Sequence, residues 1–367
     1  MKKIVYVIST LKKTGPTLVL FNIIKNLDIN KFKPVILTLS PEPADTMIEE
    51  FKKHNIEIIC INLGRITGFL FAGFKIKKII KDINPDIIHS HCFRSALFSG
   101  FFLSEHKRVS TVHCDYKTDF LMAYGKITGY IMYLLMHFSL KKISNNICCS
   151  KVLADLLNAR YKSINFEYID NGIDIEKFSP SKDKQALRET LSLPLDKKIF
   201  IWIGAFIERK NCETLAKAIN NLNTKDIFFI FCGKGESETN CKQLLYGKEN
   251  VLFAGSVNNV NEYLKASDYY ISTSFSEGLP NSVLEAMSCG LPAILSNIPQ
   301  HKYILNNDYN FYFEPDDVNE LSDKITLILK ENYEKHSHKS INIAKTRFSA
   351  AGMSEKYQDY YNGTTNI

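Results

Sequence analysis

The chain has 367 residues, longer than one ordinary domain and short for three, because a single hydrophobic core stops growing at roughly 250–300 residues. Its 45% hydrophobic, 12% aromatic and 23% charged residues exclude a disordered or collagen-like chain and describe a globular protein. The net charge of +7 is divided unevenly: residues 1–170 hold 24 Lys and Arg against 14 Asp and Glu, and the remainder hold 22 against 25.

A basic first half suits an anionic partner. Nucleic acid is not expected, because the basic residues come in ones and twos and no motif of a known reader is present. An anionic membrane surface fits better, since the aromatic-rich segment 118–143 carries Lys126, Lys141 and Lys142. A pair of core helices is the competing reading of that segment.

The apolar run Ile4 to Ile8 is too short for a secretory signal and reads as a first buried strand. The apolar, uncharged run 127–140 covers 14 residues, against about 20 for a spanning helix, so no transmembrane segment is expected. Nine cysteines, odd in number, scattered and without a C-x2-C pair, fit neither a disulfide framework nor a zinc knuckle. A reducing cytoplasm is the expected compartment.

Short β-rich runs then alternate with helical segments: KIVYVIS, PVILTLS, IEIICIN, DIIHSH, RVSTVH and NNICCS, followed by KIFIWIG, IFFIFCG, NVLFAG, YYISTS and PAILS. This alternation predicts two successive α/β doubly wound units with parallel sheets. Asn171-Gly172 and Pro180 mark a connector, which gives domains 1–170 and 171–345. A last helical stretch, about 341–361, could pack on either; the terminal segment 346–367 that takes in most of it is set apart from both domains, and NGTTNI reads as a polar tail.

Ligands of open parallel sheets sit outside the carboxyl ends of the strands. The residues just past those ends are Gly15, His89, His91, His113, Gly204, Gly233, Gly235 and Glu277. The most informative stretch is 269–296, where a strand to Ser274 and a loop carrying Glu277 and Gly278 lead into a helix with Pro280 in its first turn. The helix runs to about Cys289, Gly290 caps it, and Pro292 forces a new strand from Ala293. Backbone amides around Leu279, Asn281 and Ser282 would face a ligand at the helix start. Glu285 lies too deep in the helix to be a cap, whereas Glu277 could be a mere capping charge. After the strand 198–204, Arg209 and Lys210 are two cations suited to a diphosphate. His336 and His338 read as surface residues.

Taken together, these motifs resemble the retaining glycosyltransferases of family four. Glu277 and Glu285 match the family's E-x7-E motif, and Gly204 with Glu208-Arg209-Lys210-Asn211 matches its G-x5-K loop. Asn171-Gly172-Ile173-Asp174 with Phe178, Thr14-Gly15-Pro16-Thr17, and Pro85-Asp86-Ile87-Ile88-His89 with His91 match further segments. The resemblance implies the α/β GT-B fold, two facing Rossmann-like domains with a cleft between them, the first for the acceptor and the second for the donor. It implies that Glu285 binds the ribose hydroxyls, that Lys210 and Arg209 hold the diphosphate, and that Glu277 and the following amides of Gly278, Leu279, Asn281 and Ser282 hold the donor sugar. Gly15 would let the backbone approach the donor, Gly204 would belong to the donor-binding loop, and His113 would stand beside the sugar.

Three positions depart from the family pattern: Ala205 stands where an arginine usually follows the loop glycine, and Gln300 and Tyr303 stand where glycine and glutamate are usual. No D-x-D segment or credible ligand cluster is present, so no metal and no cofactor are expected, with a nucleotide sugar as donor substrate. The expected acceptor is a hydroxyl of a lipid-linked glycan in bacterial surface polysaccharide assembly, which places the protein in the cytoplasm or peripherally at the inner face of the plasma membrane. Rival readings are another GT-B activity, such as an epimerase or phosphorylase, and a catalytically silent nucleotide-sugar-binding or assembly protein. A dehydrogenase is disfavoured because G-x-G-x-x-G is lacking.

Overall fold

The computed structural model describes residues 1–64, 68–222 and 225–363, with only the backbone for 68–72. The end of the polar tail, 364–367, lies outside the described residues. The chain forms two compact units, one of residues 1–172 with 350–367 and one of residues 173–349.

The first unit holds a parallel sheet of β1 (Lys2–Ile8), β2 (Phe32–Thr38), β3 (Glu57–Cys60), β4 (Ile87–His91), β5 (Lys107–Val112), β6 (Asn145–Cys148) and β7 (Phe166–Tyr168), in the order β3-β2-β1-β4-β5-β6-β7. Ile4 through Ile8 are all buried, as expected for a central strand covered on both faces. Alternation divides them between two cores. Ile4, Tyr6 and Ile8 pack with Val19, Leu20 and Ile23 and with Met353, Tyr357 and Tyr361. Val5 and Val7 pack with Ile76, Ile80 and Phe98 on the other side.

The helix Ala350–Asn362 therefore builds the core of the first unit, and Ser354 Oγ donates to the Ile23 carbonyl at 2.8 Å. The continuous stretch expected over 341–361 is two helices, Tyr333–Arg347 and Ala350–Asn362, separated at Phe348-Ser349. Their break coincides with the division between the units, where Ile173 N donates to Phe348 O at 2.8 Å.

The second unit holds β8 (Lys198–Ile203), β9 (Ile227–Cys232), β10 (Val251–Gly255), β11 (Tyr269–Ser272), β12 (Ala293–Ser296) and β13 (Tyr312–Phe313), in the order β10-β9-β8-β11-β12-β13, again parallel. Strand order reverses beside β8: the chain runs outward to β10, then returns to lay β11 on the other edge of β8. Such a switch point leaves a crevice at the strand ends. In the first unit the corresponding reversal lies between β1 and β4.

Among the described residues no helix is long and apolar enough to cross a membrane. The segment 118–143 lies mainly in the helical stretch Tyr116–Lys142, which Gly125 divides into two arms. Only one side of the pair is core: Tyr116, Gly129, Met136, Ser139 and Leu140 are buried, whereas Met122, Tyr124, Ile127, Tyr130, Ile131 and Phe138 are exposed.

Candidate active site

At the switch point of the second unit, the loops after β8 and β11 converge. The loop after β8 closes with a 3-10 turn, Glu208–Lys210, and Asn211 then enters the helix Cys212–Asn221 in a left-handed conformation. Two hydrogen bonds join it to the loop after β11: Phe275 N donates to the Arg209 carbonyl at 2.9 Å, and Thr273 Oγ1 donates to the Lys210 carbonyl at 2.8 Å. Trp202 Nε1 in turn donates to Thr273 Oγ1 at 3.2 Å. The backbone that carries both cations is thus fastened to the loop that carries the carboxylate.

Glu277 sits between those cations. Its Oε1 accepts from Lys210 Nζ at 2.6 Å and from Ser274 Oγ at 2.6 Å, and its Oε2 accepts from Arg209 Nη1 at 3.0 Å. Arg209 Nη1 also donates to the Ser276 carbonyl at 2.7 Å. Burial opposes ionisation of Glu277, but the charges of Lys210 and Arg209 and the hydrogen bonds from Lys210 and Ser274 outweigh it and lower its pKa to about 2. The carboxylate is ionised at neutral pH, and the cluster of two cations and one anion keeps a net positive charge.

Beneath the loop lies His301, fully buried, which the sequence reading did not single out. Its Nδ1 lies 2.8 Å from the Ser296 carbonyl, its Nε2 lies 3.3 Å from Ser272 Oγ, and Ser296 Oγ donates to the Ser274 carbonyl at 2.6 Å. Burial drives the His301 pKa down to about 4, with Ser296 opposing, so a neutral ring donates from Nδ1 and accepts at Nε2. Ser274 is thereby held from below while its hydroxyl holds Glu277. Thr273, Ser274 and His301 are the supports that the motif alone does not reveal. Nothing in the residue types marks them; only the strand order brings them together.

The helix expected after Glu277 runs Asn281–Ser288, and Pro280 is its N-cap with extended backbone, not a residue of its first turn. β11 ends at Ser272, two residues before the expected end. Past the strand end, Thr273 and Ser274 bond to the loops: Thr273 Oγ1 to the Lys210 carbonyl, and Ser274 Oγ to Glu277. Gly278 and Leu279 are buried, Asn281 and Ser282 are half-buried, and Ser282 Oγ accepts from Tyr270 OH at 2.8 Å. Glu285 lies in the second turn of the helix and is nearly buried. Gly204 follows β8 directly, and a Cβ there would crowd the Trp202 ring at 3.0 Å and meet Lys210 in ordinary contact at 3.5 Å. Ala205 is exposed, Gln300 is buried, and Tyr303 stacks against the Arg347 guanidinium at 5.1 Å. A Cβ on Gly233 would lie 1.8 Å from the Gly204 carbonyl, so this glycine allows close packing of two loops.

In the first unit, Gly15 opens the helix Gly15–Lys25 after β1, and a Cβ there would meet nothing within 4 Å. His89 and His91 share one face of β4 and are fully buried. His89 lies 2.7 Å from both Tyr361 OH and Thr111 Oγ1. His91 Nδ1 lies 3.3 Å from Nε2 of the half-buried His113, past the end of β5. Burial, with smaller contributions from His89 and His113, depresses the His91 pKa well below its ordinary value, and burial lowers that of His113 to about 4. Both rings are neutral. His91 Nε2 is buried without a hydrogen-bond partner among the described residues. The tautomer pair that leaves no buried N–H unpaired has His91 donating from Nδ1 to His113 Nε2, with the His113 proton on Nδ1.

His336 is not the surface residue expected. It lies inside the helix Tyr333–Arg347, edge-on to Phe311 at 5.1 Å and largely covered, because the helical period turns it toward Tyr309 and Phe311. His338 is exposed. Among the described residues no group of three or more His, Cys, Asp or Glu is placed to hold a metal ion.

Comparison with known proteins places this geometry in a family. Residues 14–177 match the family described as Glycosyltransferase Family 4, and residues 183–347 match that described as Glycosyl transferases group 1. The chain belongs to the family-four glycosyltransferases of GT-B fold. It is similar to the O-antigen biosynthesis glycosyltransferase WclY of Escherichia coli, 28% identical with 98% of each chain covered. It is also similar to an Escherichia coli UDP-Gal:alpha-D-GlcNAc-diphosphoundecaprenol alpha-1,3-galactosyltransferase, 26% identical over 82% of this chain and 83% of that one. Among solved structures, Anabaena HepE in complex with UDP and glucose superposes with a TM-score of 0.83 at 17% identity, covering 99% of this chain and 100% of that one. The protein is a glycosyltransferase of the kind that builds surface polysaccharides.

Proposed function

We propose that this enzyme moves a hexose or N-acetylhexosamine from a nucleoside diphosphate sugar to a hydroxyl of a lipid-linked glycan, with retention of anomeric configuration and without a metal ion. The observation that carries this reading is the ionised Glu277 held between Lys210 and Arg209 at the switch point of the second sheet. Two cations there can share their charge with a departing diphosphate, the task a divalent ion performs in other transferases. Glu285 takes the ribose hydroxyls. Glu277 takes the donor sugar, with the amides of Gly278, Leu279, Asn281 and Ser282 and the close approach that Gly204 permits. The family resemblance assigns Gly15 and His113 of the first unit to the donor and gives that unit the acceptor.

Retention by double displacement would need a carboxylate on the face opposite the leaving group, and no residue is identified for it. The favoured route is same-face attack. The bond from the anomeric carbon to the phosphate oxygen breaks as the acceptor oxygen bonds to that carbon, and the acceptor's proton passes to the departing phosphate. UDP is the favoured carrier, because the galactosyltransferase relative is named for a UDP sugar and HepE was crystallised with UDP. The diphosphoundecaprenol acceptor of that relative supports the lipid-linked acceptor here and a working place at the cytoplasmic face of the membrane.

The test is transfer in EDTA from UDP-galactose, UDP-glucose and their N-acetylamino counterparts to a polyprenyl-diphosphate-linked sugar, with the product's anomeric coupling read by NMR. An α product from an α donor supports the reading. Tight nucleotide binding without transfer from any donor would favour the silent nucleotide-sugar-binding alternative.

A further inference from the structure

The helical stretch Tyr116–Lys142 reverses at Gly125, whose φ of 74° and ψ of 177° lie outside the helical region. Its second arm returns so closely on the first that a Cβ on Gly129 would lie 2.3 Å from the Phe120 carbonyl. These two glycines let the arms pack on each other, and the second arm keeps an uncovered stripe. Ile127, Ile131, Leu134 and Phe138 follow the i, i+4, i+7, i+11 spacing of one helix face. Ile127 is 79% exposed, Ile131 53% and Phe138 52%, and Leu134 is half-buried. The neighbouring helix Phe93–Phe102 extends the patch with the exposed Phe101, whose ring lies 4.3 Å from the Lys142 ammonium.

Charge selects the occupant. From Phe120 to Lys142 there is no Asp or Glu, and Lys126 stands at one end of the stripe while Lys141 and Lys142 stand at the other, all three exposed. An apolar face flanked only by cations, with tyrosines at its margin, is the pattern of a helix lying in the plane of a bilayer interface. A stripe this open is unusual on a surface that meets water alone.

We propose that this stripe, with Phe101 and the flanking lysines, is the surface by which the first unit docks onto an anionic lipid bilayer. For its biological sense the assignment rests on the lipid-linked acceptor proposed above. Its physical basis is independent of the donor site.

The experiment is co-sedimentation of the full chain with phosphatidylcholine vesicles and with vesicles containing phosphatidylglycerol, with oligomeric state measured in parallel. UDP-dependent thermal shift serves as the control for folding and for the donor site. Wild type should bind the anionic vesicles and release them as salt rises. Neutralising Lys126, Lys141 and Lys142 together to Gln should weaken partitioning by about 100-fold, from roughly fivefold per lysine removed near the surface. Ile127→Ser with Ile131→Ser and Phe138→Ser should abolish binding while the UDP response persists. Equal binding by wild type and the lysine variant would overturn the proposal. So would a dimer that the serine variant converts to monomer with no change in vesicle binding, which would make the face a contact between copies. Loss of the UDP response in wild type would count against the donor site and leave the vesicle result to be read by itself.

Discussion

Lys210 Nζ lies 2.6 Å from Glu277 Oε1, and both side chains are largely withdrawn from water. The family resemblance implies separate tasks for them, diphosphate for the lysine and sugar for the glutamate. The structure binds them into one unit with Arg209. A desolvated pair of this kind is strongly weakened by losing one member, because the other charge stays behind.

Lys210→Ala should therefore lose about 2.7–4 kcal/mol of transition-state stabilisation, by analogy with removing an oxyanion donor, which is roughly a hundred- to a thousandfold in kcat. Steady-state kinetics with a saturating donor check this, and near-normal kcat would remove Lys210 from the chemistry.

Glu277 makes stability depend on pH. Its folded pKa of about 2 lies below the ordinary 4.5, so its contribution is complete above about pH 4.5 and is lost as pH falls toward 2. Between pH 4 and 3 the wild type should lose about 1 kcal/mol per pH unit more than Glu277→Gln. Urea unfolding at those pH values reads the difference, and parallel pH profiles would contradict the ion-pair account.

A second buried ion cluster should behave otherwise. Asp268, just before β11 and at the opposite end of the strand from Glu277, accepts from Arg188 Nη2 at 2.6 Å, from Lys184 Nζ at 3.0 Å and from Ile199 N at 2.8 Å. Asp268→Ala strands the buried Arg188 and should destabilise the protein by about 3–5 kcal/mol. The fraction that stays folded should turn over normally, which separates a structural cluster from a catalytic one.

His91 should act through the tautomer of His113. Asn can place a donor where His91 Nδ1 stands, so His91→Asn should keep more activity than His91→Ala at equal folded fraction. The 15N shifts of His113 should show its proton on Nδ1 in wild type. A proton on Nε2 would reverse the assigned hydrogen bond.

Much of this architecture is legible in the sequence because buried parallel strands are continuous apolar runs, and eleven such runs appear in order with glycine and proline between them. β7 and β13 are not legible: with three and two residues they carry no period. The Glu277–Glu285 spacing and the Arg209-Lys210 pair are visible as motifs. The clamp they form is not, because it depends on β11 returning beside β8, a tertiary fact. His301 is hidden for the same reason, its partners lying on β11 and β12. His336 misleads because its polar neighbours suggest solvent, whereas the helical period turns it onto Phe311.

The central claim is that the second unit holds a metal-free nucleoside diphosphate site built on Glu285, Lys210 and Arg209. Thermal unfolding in EDTA with UDP, GDP, ADP, dTDP and CMP tests it most directly, with Glu285→Ala alongside. A ligand at 100 times its dissociation constant should add about 2.7 kcal/mol of stability, so one diphosphate, UDP by this account, should raise the melting temperature of the wild type and leave the variant unmoved. No shift with any of the five nucleotides, or an equal shift in Glu285→Ala, would contradict it.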